Sequence, residues 1–367
     1  MPEIKLVTDE LVFRMQRAGG ISTVWGELLS RAMIDPDIDL HILSSMRSVD
    51  NVVYDEKRIG QIDKIPERYG PLLLQRMSKA RYKNPFSDRG RSIFNGTYFR
   101  TASVPGVINV LHIHDFTHQL YFQKSKAFVN SVLKHRCIRN ADAIVCISEN
   151  TKTDLLRLYP EAGEKRVEVI YNGVSPEFFL DLTIKPPLFV VNKGIRNYCL
   201  FVGSRAPYKR FDIALDLLKK IDDLSLVVIG GGDIDESEIE RAGWASTRVF
   251  HFKGVSSSDL NALYNNAVCL LYPSAYEGFG IPPLEAMSAG CPAIAFRNSS
   301  LPEVMGDAGI LLDEGDLLGL ERSVRKLIVD SSWREKIVVA QMMQAKRFSW
   351  SNSYAELKDL YASLLEE

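Results

Sequence analysis

Residues 269–296, with the sequence CLLYPSAYEGFGIPPLEAMSAGCPAIAF, contain the pattern that decides the fold of this chain. The apolar run Cys269–Pro273 is typical of a buried strand, and a loop with two glycines follows it. A helix is predicted over Pro283–Ala289, because proline suits the first turn of a helix and Gly290 suits its end. A second apolar run, Pro292–Phe296, predicts another strand. Strands that alternate with helices indicate a parallel sheet covered on both faces.

The same alternation continues through both halves of the 367-residue chain, which is long enough for two domains. The first half has predicted strands and helices over Ile4–Val7, Ile21–Met33, Leu40–Leu43, Val107–Ile113, Ala143–Ile147, Asn150–Leu158 and Val167–Tyr171. The second half adds elements over Tyr198–Gly203, Phe211–Ile221, Leu226–Gly230, Val249–Lys253 and Ser257–Asn266. The predicted fold class is α/β, with two Rossmann-like, doubly wound parallel sheets.

The boundary between the two domains is predicted in residues 175–196. This stretch, SPEFFLDLTIKPPLFVVNKGIR, is rich in proline and lacks clean periodicity, as is usual for a linker. It separates an N-terminal domain over residues 1–174 from a second domain over residues 197–350. An amphipathic segment, residues 351–367, closes the chain.

Composition limits the partners and the compartment. The formal net charge is -1, so nothing global indicates a nucleic-acid partner. The five cysteines are odd in number and lie in apolar stretches, which favours reduced thiols over a disulfide framework. The N-terminus has no signal-peptide pattern, and no stretch approaches the ~18 apolar residues of a membrane span. We therefore expect a soluble, cytoplasmic protein that is at most peripheral to a membrane.

Two carboxylates flank the loop and first helical turn of the opening segment. The loop Gly278-Phe279-Gly280 lets backbone amides approach a ligand closely, and the following helix adds a partial positive charge at its N-terminus. A diphosphate or a sugar fits there, with Glu277 and Glu285 available for hydroxyl groups. Two other interpretations stay open. Glu277 could be a surface loop residue while Glu285 complements the helix dipole, or the two could be the acid–base pair of a glycosidase.

Two cations follow the first strand of the second half. Arg205 and Lys209 lie on the loop after Gly203, the preferred ligand crevice of a doubly wound sheet. They suit a diphosphate leaving group, although a solvated basic loop would look the same. In the first half, the pair Gly19 and Gly20 precedes a helix, so backbone can come close to a phosphate or sugar there; such a pair also occurs in ordinary turns.

Histidines cluster at the end of a predicted strand, in the sequence His112-Ile113-His114-Asp115, with His118 close behind. A zinc site is the alternative to weigh, but the spacing is not that of a His-Glu-x-x-His motif, so no metal is predicted. Alternation along a strand sends His112 and His114 to the same face. We interpret His112 as a hydrogen-bonded core residue and His114 as the candidate catalytic residue of this domain.

A basic stretch lies between residues 64 and 100, with nine Lys or Arg, two acids and interleaved aromatic residues. It is either a solvated basic loop or a surface for an anionic acceptor or lipid head groups. Nothing in the sequence decides between the two.

The segment from Glu277 to Glu285, called the acidic loop below, resembles the Glu-x7-Glu motif of the retaining glycosyltransferases of the GT-B fold, family 4. The resemblance implies two Rossmann-like domains that face a central cleft, with the C-terminal segment packed back on the first domain. It implies that Glu277 faces the donor sugar and Glu285 the ribose, that Arg205 and Lys209 hold the diphosphate, and that the segment with Val255 lines the base. The family's arginine often follows its glycine directly, whereas Ser204 intervenes here.

On this resemblance, the catalytic residues are His114, Glu277, Lys209 and Arg205. The donor-binding residues are Gly19, Gly20, Gly203, Arg205, Lys209, Val255, Glu277, Gly278, Phe279, Gly280, Ile281 and Glu285. The implied reaction is metal-independent transfer of a sugar, with retention, to a glycan or lipid-linked acceptor in polysaccharide or lipopolysaccharide biosynthesis. Neither cofactor nor nucleic acid is expected. The transferred sugar is expected to be a hexose, and likeness to bacterial polysaccharide mannosyltransferases favours GDP-mannose or a related GDP-sugar over UDP-sugars.

Three other functions fit a two-domain α/β chain. They are a nucleotide-sugar epimerase of the same architecture, an NAD-dependent oxidoreductase and a non-catalytic sugar-nucleotide binding protein. The oxidoreductase would need a Gly-x-Gly-x-x-Gly fingerprint, which the Gly19-Gly20 pair does not supply.

Overall fold

Each half of the chain folds around its own parallel sheet. The computed structural model describes residues 4–67, 72–86, 90–121 and 124–367. Unit 1 consists of Met1–Gly173 with Trp350–Glu367, and unit 2 consists of Val174–Ser349. The chain therefore returns to its first unit after it has completed the second.

Seven parallel strands among the described residues form the sheet of unit 1. They are β1 (Ile4–Asp9), β2 (Ile38–Ser44), β3 (Asp63–Pro66), β4 (Ser92–Gly96), β5 (Val107–Ile113), β6 (Ala143–Cys146) and β7 (Arg166–Val169), in the spatial order β3-β2-β1-β4-β5-β6-β7. The five predicted strands are confirmed. Apolar runs do not reveal β3 and β4, because charged residues occupy half of β3 and the buried Ser92 and Asn95 interrupt β4.

Helices cover the faces of this sheet. They are α1 (Leu11–Met15), α2 (Gly20–Ala32), α3 (Val52–Glu56), α4 (Leu72–Met77), α5 (Thr117–Tyr121), α6 (Lys124–Asn140) and α7 (Glu149–Leu158). The two helices predicted in this half, now α2 and α7, are confirmed. On one face, Trp25 and Leu29 of α2 pack with Ile42 of β2 in a buried cluster.

The sheet of unit 2 has six parallel strands in the described chain, one more than predicted. They are β8 (Tyr198–Val202), β9 (Ser225–Ile229), β10 (Val249–Phe252), β11 (Cys269–Tyr272), β12 (Ala293–Phe296) and β13 (Ile310–Leu312), in the spatial order β10-β9-β8-β11-β12-β13. The helices are α8 (Leu188–Val191), α9 (Phe211–Leu218), α10 (Glu236–Ala242), α11 (Ser257–Asn266), α12 (Ile281–Ser288), α13 (Leu301–Met305), α14 (Leu317–Val329) and α15 (Ser331–Ala345). A three-residue strand such as β13 is too short to show a period in the sequence.

The last helix, α16 (Trp350–Glu366), belongs to unit 1. Two of its side chains reach the turn before β2: the Tyr354 hydroxyl donates to Asp35 Oδ2 at 2.8 Å, and Lys358 Nζ donates to Asp35 Oδ1 at 2.9 Å and to Asp37 Oδ2 at 2.8 Å. The pKa of Asp35 is lowered, because hydrogen bonds from Lys358, from the Asp37 backbone and from Tyr354 outweigh the cost of its burial. These bonds tie the end of the chain to its beginning.

The segment 175–196, predicted as a linker, lies within unit 2. Its backbone is bound to side chains of α11: the Phe179 N–H donates to Asn261 Oδ1 at 3.1 Å, and the Asp181 N–H donates to Asn265 Oδ1 at 2.8 Å. The segment is therefore packed on α11, whose side-chain acceptors the sequence does not reveal. It also contains the short helix α8.

The basic stretch of residues 64–100 is not uniformly a surface. Arg100 is buried with 2% exposure; its guanidinium donates twice to the Glu67 carboxylate and lies 3.8 Å from Asp9 Oδ2. Phe86 and Phe94 are core residues. Arg68 and Arg89 lie outside the described residues. The membrane or acceptor role of this stretch stays a prediction, and Arg100 is not available for it.

Two further features bear on the predicted compartment. All five cysteines are buried free thiols. Within the described ranges, no helix combines the length and the apolar character that a bilayer span requires.

The strand orders show where a ligand would bind. In unit 1 the order reverses between β1 and β4, and in unit 2 it reverses between β8 and β11. Ligands of doubly wound sheets bind outside the carboxyl ends of the strands at such a switch point. In unit 2 we therefore expect a ligand to bind at the loops after β8 and β11.

Candidate active site

A lysine–glutamate pair lies at the switch point of unit 2. Lys209 follows β8 and Glu277 follows β11, and their Nζ and Oε1 atoms are 2.5 Å apart. The side chains are 12% and 11% exposed, so the pair is largely shielded from water without being sealed off. Adjacent parallel strands place these two loops side by side, which explains how residues 68 positions apart meet. The two principal residues predicted for this unit are thus brought together.

Aromatic rings surround the lysine. Lys209 Nζ donates to the Tyr272 hydroxyl at 3.1 Å and lies 5.1 Å and 5.4 Å from the ring centres of Tyr272 and Tyr208. Burial, together with the nearby Glu277 carboxylate, raises the pKa of Tyr272 well above its usual value, so its hydroxyl keeps its proton. These contacts fix the ammonium group, which is a compact charge suited to a phosphate.

Two serines hold the acidic loop in shape. The Glu277 N–H donates to Ser299 Oγ at 2.8 Å, and the buried Ser300 hydroxyl lies 3.0 Å from the Glu277 carbonyl and 2.8 Å from the Phe279 carbonyl. The Phe279 side chain is buried and packs edge-on against Phe348, with ring centres 5.7 Å apart. Only the backbone of Phe279 can therefore face a ligand.

A left-handed glycine connects this loop to α12. Gly280 has φ +110°, a conformation that favours glycine, and a Cβ there would lie 2.9 Å from Leu301 Cδ2. Pro282 and Pro283 in the first turn have no N–H group. Hydrogen-bond donors at this helix end must therefore come from Gly278 through Ile281, the residues predicted to bind the donor.

Glu285 is partly buried on α12 and receives a hydrogen bond at 3.2 Å from the hydroxyl of Tyr264, which is fully buried. Burial raises the pKa of Glu285 to about 7, although the Tyr264 hydrogen bond acts in the opposite direction. The group is therefore close to half protonated at neutral pH, unlike an exposed carboxylate. A ligand hydroxyl that donates to it would favour the ionised form.

Arg205 binds groups on α10 and on the turn after β9, and its contact with a donor diphosphate stays a prediction. Its Nε donates to Glu238 Oε1 at 2.7 Å, and its terminal nitrogens donate to the backbone carbonyls of Gly230, Gly232 and Asp233 at 2.6–3.3 Å. None of these bonds, all within the described residues, is with Lys209 or Glu277. In the sequence, Ser204 separates this arginine from Gly203, whereas the family's arginine often follows its glycine directly.

The remaining predicted residues of unit 2 are on loops near the same strand ends. Gly203 has φ +127° and its N–H donates to the Ile229 carbonyl at 2.9 Å, so it turns the chain immediately after β8. Val255 is partly buried between β10 and α11. Its contact with a nucleotide base stays a prediction.

In unit 1, Gly19 and Gly20 form the start of α2. The Gly19 carbonyl accepts the Thr23 N–H at 3.0 Å and the Ser22 hydroxyl at 2.8 Å. A Cβ on Gly20 would meet nothing within 4 Å, so packing inside the described chain does not require this glycine. The short helix α1, which the sequence pattern does not predict, lies between β1 and this pair. A role toward a donor stays a prediction.

His112 lies in β5 and His114 directly follows that strand; both are buried, and their rings stack with centres 6.1 Å apart. His112 Nδ1 is 3.1–3.2 Å from the Asn95 amide, as expected for a core residue. His114 Nε2 has no hydrogen-bond partner among the described residues. Burial lowers the pKa of His112 to about 3 and that of His114 to about 4, so both rings are neutral at pH 7. No group of three or more metal-ligating side chains occurs in the described residues.

Several residues of the site are not among those that the sequence predicts. Tyr264 and Tyr272 lie in a helix and a strand, where an aromatic residue normally indicates core packing. Ser299 and Ser300 follow β12 without a recognisable motif, and Glu238 is 33 positions from its partner Arg205. Only the serine pair, as polar residues directly after a strand end, carries a signal that could have indicated a ligand loop.

Comparison with known proteins assigns the family. The family model described as "Glycosyl transferases group 1" matches residues 190–341, and the model described as "Glycosyltransferase Family 4" matches residues 90–178. The O-antigen chain mannosyltransferase B of Escherichia coli is 30% identical over 276 residues, a match that covers 70% of each chain. The chain is a family 4 glycosyltransferase.

Solved structures agree with this glycosyltransferase fold. Anabaena Alr3699/HepE, solved in complex with UDP-glucose, has a TM-score of 0.73 at 16% identity, over 98% of this chain and 100% of that chain. WaaG, described as a glycosyltransferase involved in lipopolysaccharide biosynthesis, has a TM-score of 0.70 at 16% identity, over 98% and 99% of the two chains. The predicted GT-B fold class is confirmed. None of these similarities supports the epimerase or oxidoreductase alternatives.

Proposed function

We propose that this glycosyltransferase transfers a hexose, with mannose from GDP-mannose favoured, to a glycan or lipid-linked acceptor in polysaccharide or lipopolysaccharide biosynthesis. The observation that carries the donor assignment is the Lys209–Glu277 pair at the switch point of unit 2. The name of the Escherichia coli relative supports mannose and a polysaccharide acceptor. UDP-glucose, which is bound to Alr3699/HepE, represents the competing donor class.

Lys209 is the proposed partner of the donor diphosphate. In the free enzyme its charge is neutralised by one carboxylate oxygen and it also contacts one hydroxyl. A diphosphate carries more negative charge than a carboxylate, so it competes with Glu277 for the ammonium group. Lys209 then stabilises the charge that develops on the leaving diphosphate, a role that elsewhere is often filled by a metal ion.

Glu277 and Glu285 are the proposed acceptors for donor hydroxyl groups. Once Lys209 binds the diphosphate instead of Glu277, the Glu277 carboxylate becomes available to accept a hydrogen bond from a sugar hydroxyl beside that lysine. Glu285 accepts from the ribose, and its raised pKa means that this binding releases a proton near neutral pH. The backbone N–H groups from Gly278 to Ile281 hold the sugar and phosphate between the two carboxylates.

Retention of the anomeric configuration is the proposed stereochemical outcome. It rests on the family resemblance, which implies attack from the front face, with the leaving phosphate helping to take the acceptor proton. His114 stays the proposed contact to the reacting sugar in unit 1, where its Nε2 atom is buried and unpartnered among the described residues.

The test begins with the thermal midpoint of the full chain in GDP, UDP and ADP. A ligand at about 100 times its Kd stabilises the folded chain by about 2.7 kcal/mol, which is readily seen. We expect GDP to stabilise most, and Lys209→Met to weaken nucleoside-diphosphate binding at least about tenfold. Lys220→Ala, which changes an exposed lysine of the same unit, is the matched control. No stabilisation by any nucleoside diphosphate would refute the donor assignment.

Transfer itself is then followed with the best donor and candidate glycan acceptors. The anomeric configuration of the product, determined by NMR, tests retention. Full activity after removal of divalent ions with EDTA is the result expected for metal-independent transfer. An inverted product or complete loss of transfer in EDTA would each overturn the corresponding part of the proposal.

A further inference from the structure

The turn after β9 is held by a single arginine. The turn is Gly230–Asp233, and the Arg205 guanidinium donates to its Gly230, Gly232 and Asp233 carbonyls at 3.3, 2.8 and 2.6 Å. His251 Nε2 also lies 2.9 Å from the Gly230 carbonyl oxygen. Three of the four carbonyls of this turn therefore face one cation.

The orientation of the carbonyls fixes the orientation of the N–H groups. In a planar trans peptide, the C=O of one residue and the N–H of the next point in opposite directions. The N–H groups of Gly231, Asp233 and Ile234 are therefore directed away from Arg205. None of them donates a hydrogen bond within the part of the chain that the structure describes. Gly230 and Gly231 have φ +86° and +73°, a left-handed arrangement suited to glycine.

One carboxylate holds the arginine in place. Glu238 Oε1 accepts from Arg205 Nε at 2.7 Å, while its Oε2 accepts the Asp235 N–H at 2.9 Å in the capping box of α10. The side chains of Arg205 and Glu238 are 6% and 16% exposed. The helix cap and the turn therefore share one anchor, and the arginine has little freedom to rotate.

The partners of the two cations differ in what a ligand could displace. Lys209 has one carboxylate oxygen and one hydroxyl, both beside the proposed donor site. If Arg205 moved to a diphosphate, it would leave Glu238 Oε1 and the Gly232 and Asp233 carbonyls without this donor, whereas the Gly230 carbonyl would keep His251. Breaking such a pair typically costs several kcal/mol, so Arg205 is the unfavourable choice for a diphosphate contact.

We infer that Arg205 and Glu238 are positioning residues, which act on the donor through the turn and not by direct contact with the diphosphate. The turn follows the strand next to β8, at the carboxyl edge of the sheet. There its N–H groups, fixed in advance by Arg205, bind phosphate or sugar oxygens of the donor. This inference rests on the proposed donor site of unit 2.

A double-mutant cycle on nucleoside-diphosphate binding tests the inference. The variants are Arg205→Met, Glu238→Gln and the double variant, with Glu240→Gln on the exposed side of the same helix as control. The Kd of the nucleoside diphosphate that binds best to the wild type is measured by calorimetry, beside the Kd of the corresponding nucleoside.

If Arg205 and Glu238 position the turn, both single variants and the double variant should raise the Kd of the nucleoside diphosphate by a similar factor, roughly tenfold, because the two residues act as one unit. The Kd of the nucleoside, which lacks phosphate, should change less than twofold, as should both values in Glu240→Gln. A merely structural defect would instead raise the Kd of the nucleoside and that of the nucleoside diphosphate by the same factor.

Direct contact predicts the opposite pattern. Arg205→Met would then resemble Lys209→Met, and Glu238→Gln, which releases the arginine, would bind the nucleoside diphosphate as tightly as the wild type or more tightly. That result, or equal weakening of the nucleoside, would overturn the inference. Failure of the wild type to bind any nucleoside diphosphate would instead show that the proposed function itself is wrong.

Discussion

The carboxyl group of Glu285 offers the sharpest quantitative test of the site. Its ordinary pKa is 4.5, and burial on α12 raises the pKa to about 7 in the folded chain. A carboxyl whose pKa is raised by folding binds its proton more tightly in the folded state. The stability associated with that proton is complete below pH 4.5 and is lost as the pH rises through about 7.

The magnitude follows from the two pKa values. At about 1.4 kcal/mol per pKa unit, the difference corresponds to about 3 kcal/mol of unfolding free energy. Most of this, about 2–3 kcal/mol, should be lost between pH 5 and pH 8. Glu285→Gln removes the titration while keeping the shape and an oxygen that can accept from Tyr264.

The assay is urea unfolding of the wild type and Glu285→Gln at pH 5, 6, 7 and 8. The difference in unfolding free energy should move in favour of the variant by about 2–3 kcal/mol across this range. Glu335→Gln, a change of an exposed glutamate in the same unit, should show a constant difference. Parallel stability profiles of the wild type and Glu285→Gln would refute the assignment of a raised pKa.

The same titration should appear in ligand binding. If the ribose needs the ionised carboxylate, the nucleotide should bind about tenfold more tightly at pH 8 than at pH 6, since the ionised fraction rises about tenfold between them. In Glu285→Gln this contribution should be absent, which separates it from titration of the phosphate. A pH dependence that is unchanged in the variant would exclude Glu285 as the ribose acceptor.

Three further predictions concern the rest of the site. Glu277→Gln and Lys209→Met should each lower kcat/KM for transfer by about 100-fold or more, because each removes a charge at the proposed reaction centre. The far-UV spectrum should be unchanged, and near-full activity in either variant would contradict the mechanism. Gly280→Ala should lower the urea-unfolding free energy by about 1–3 kcal/mol, since an alanine at φ +110° is strained and its Cβ meets Leu301, and an unchanged midpoint would disprove that strain. With a pKa of about 4, His114 should stay neutral from pH 6 to pH 8. A histidine C2-proton NMR titration should therefore show a signal, absent from His114→Asn, that does not shift in that range.

The sequence alone determined the class of fold and most of its elements. Apolar runs of four to seven residues and the helical patterns between them located fifteen elements to within three residues at each end, because buried parallel strands and amphipathic helices have distinct periods. The strands β3, β4 and β13 were not predicted; in β4 the polar residues Ser92 and Asn95 are buried. Asn95 interrupts the apolar run because its amide is needed by His112 and Tyr361, and such partners are invisible to a local pattern.

The sequence also located Glu277 and Lys209, because glycines, prolines and charges after strand ends are local signals. It could not assign partners to charged side chains. Arg205 and Lys209 look alike in one loop, yet one binds Glu238 and backbone carbonyls while the other binds Glu277. Those partners lie 33 and 68 positions away, so strand order and loop packing selected them. The proton affinity of Glu285 was likewise decided by burial against Tyr264, because desolvation depends on neighbours that only the folded chain assembles.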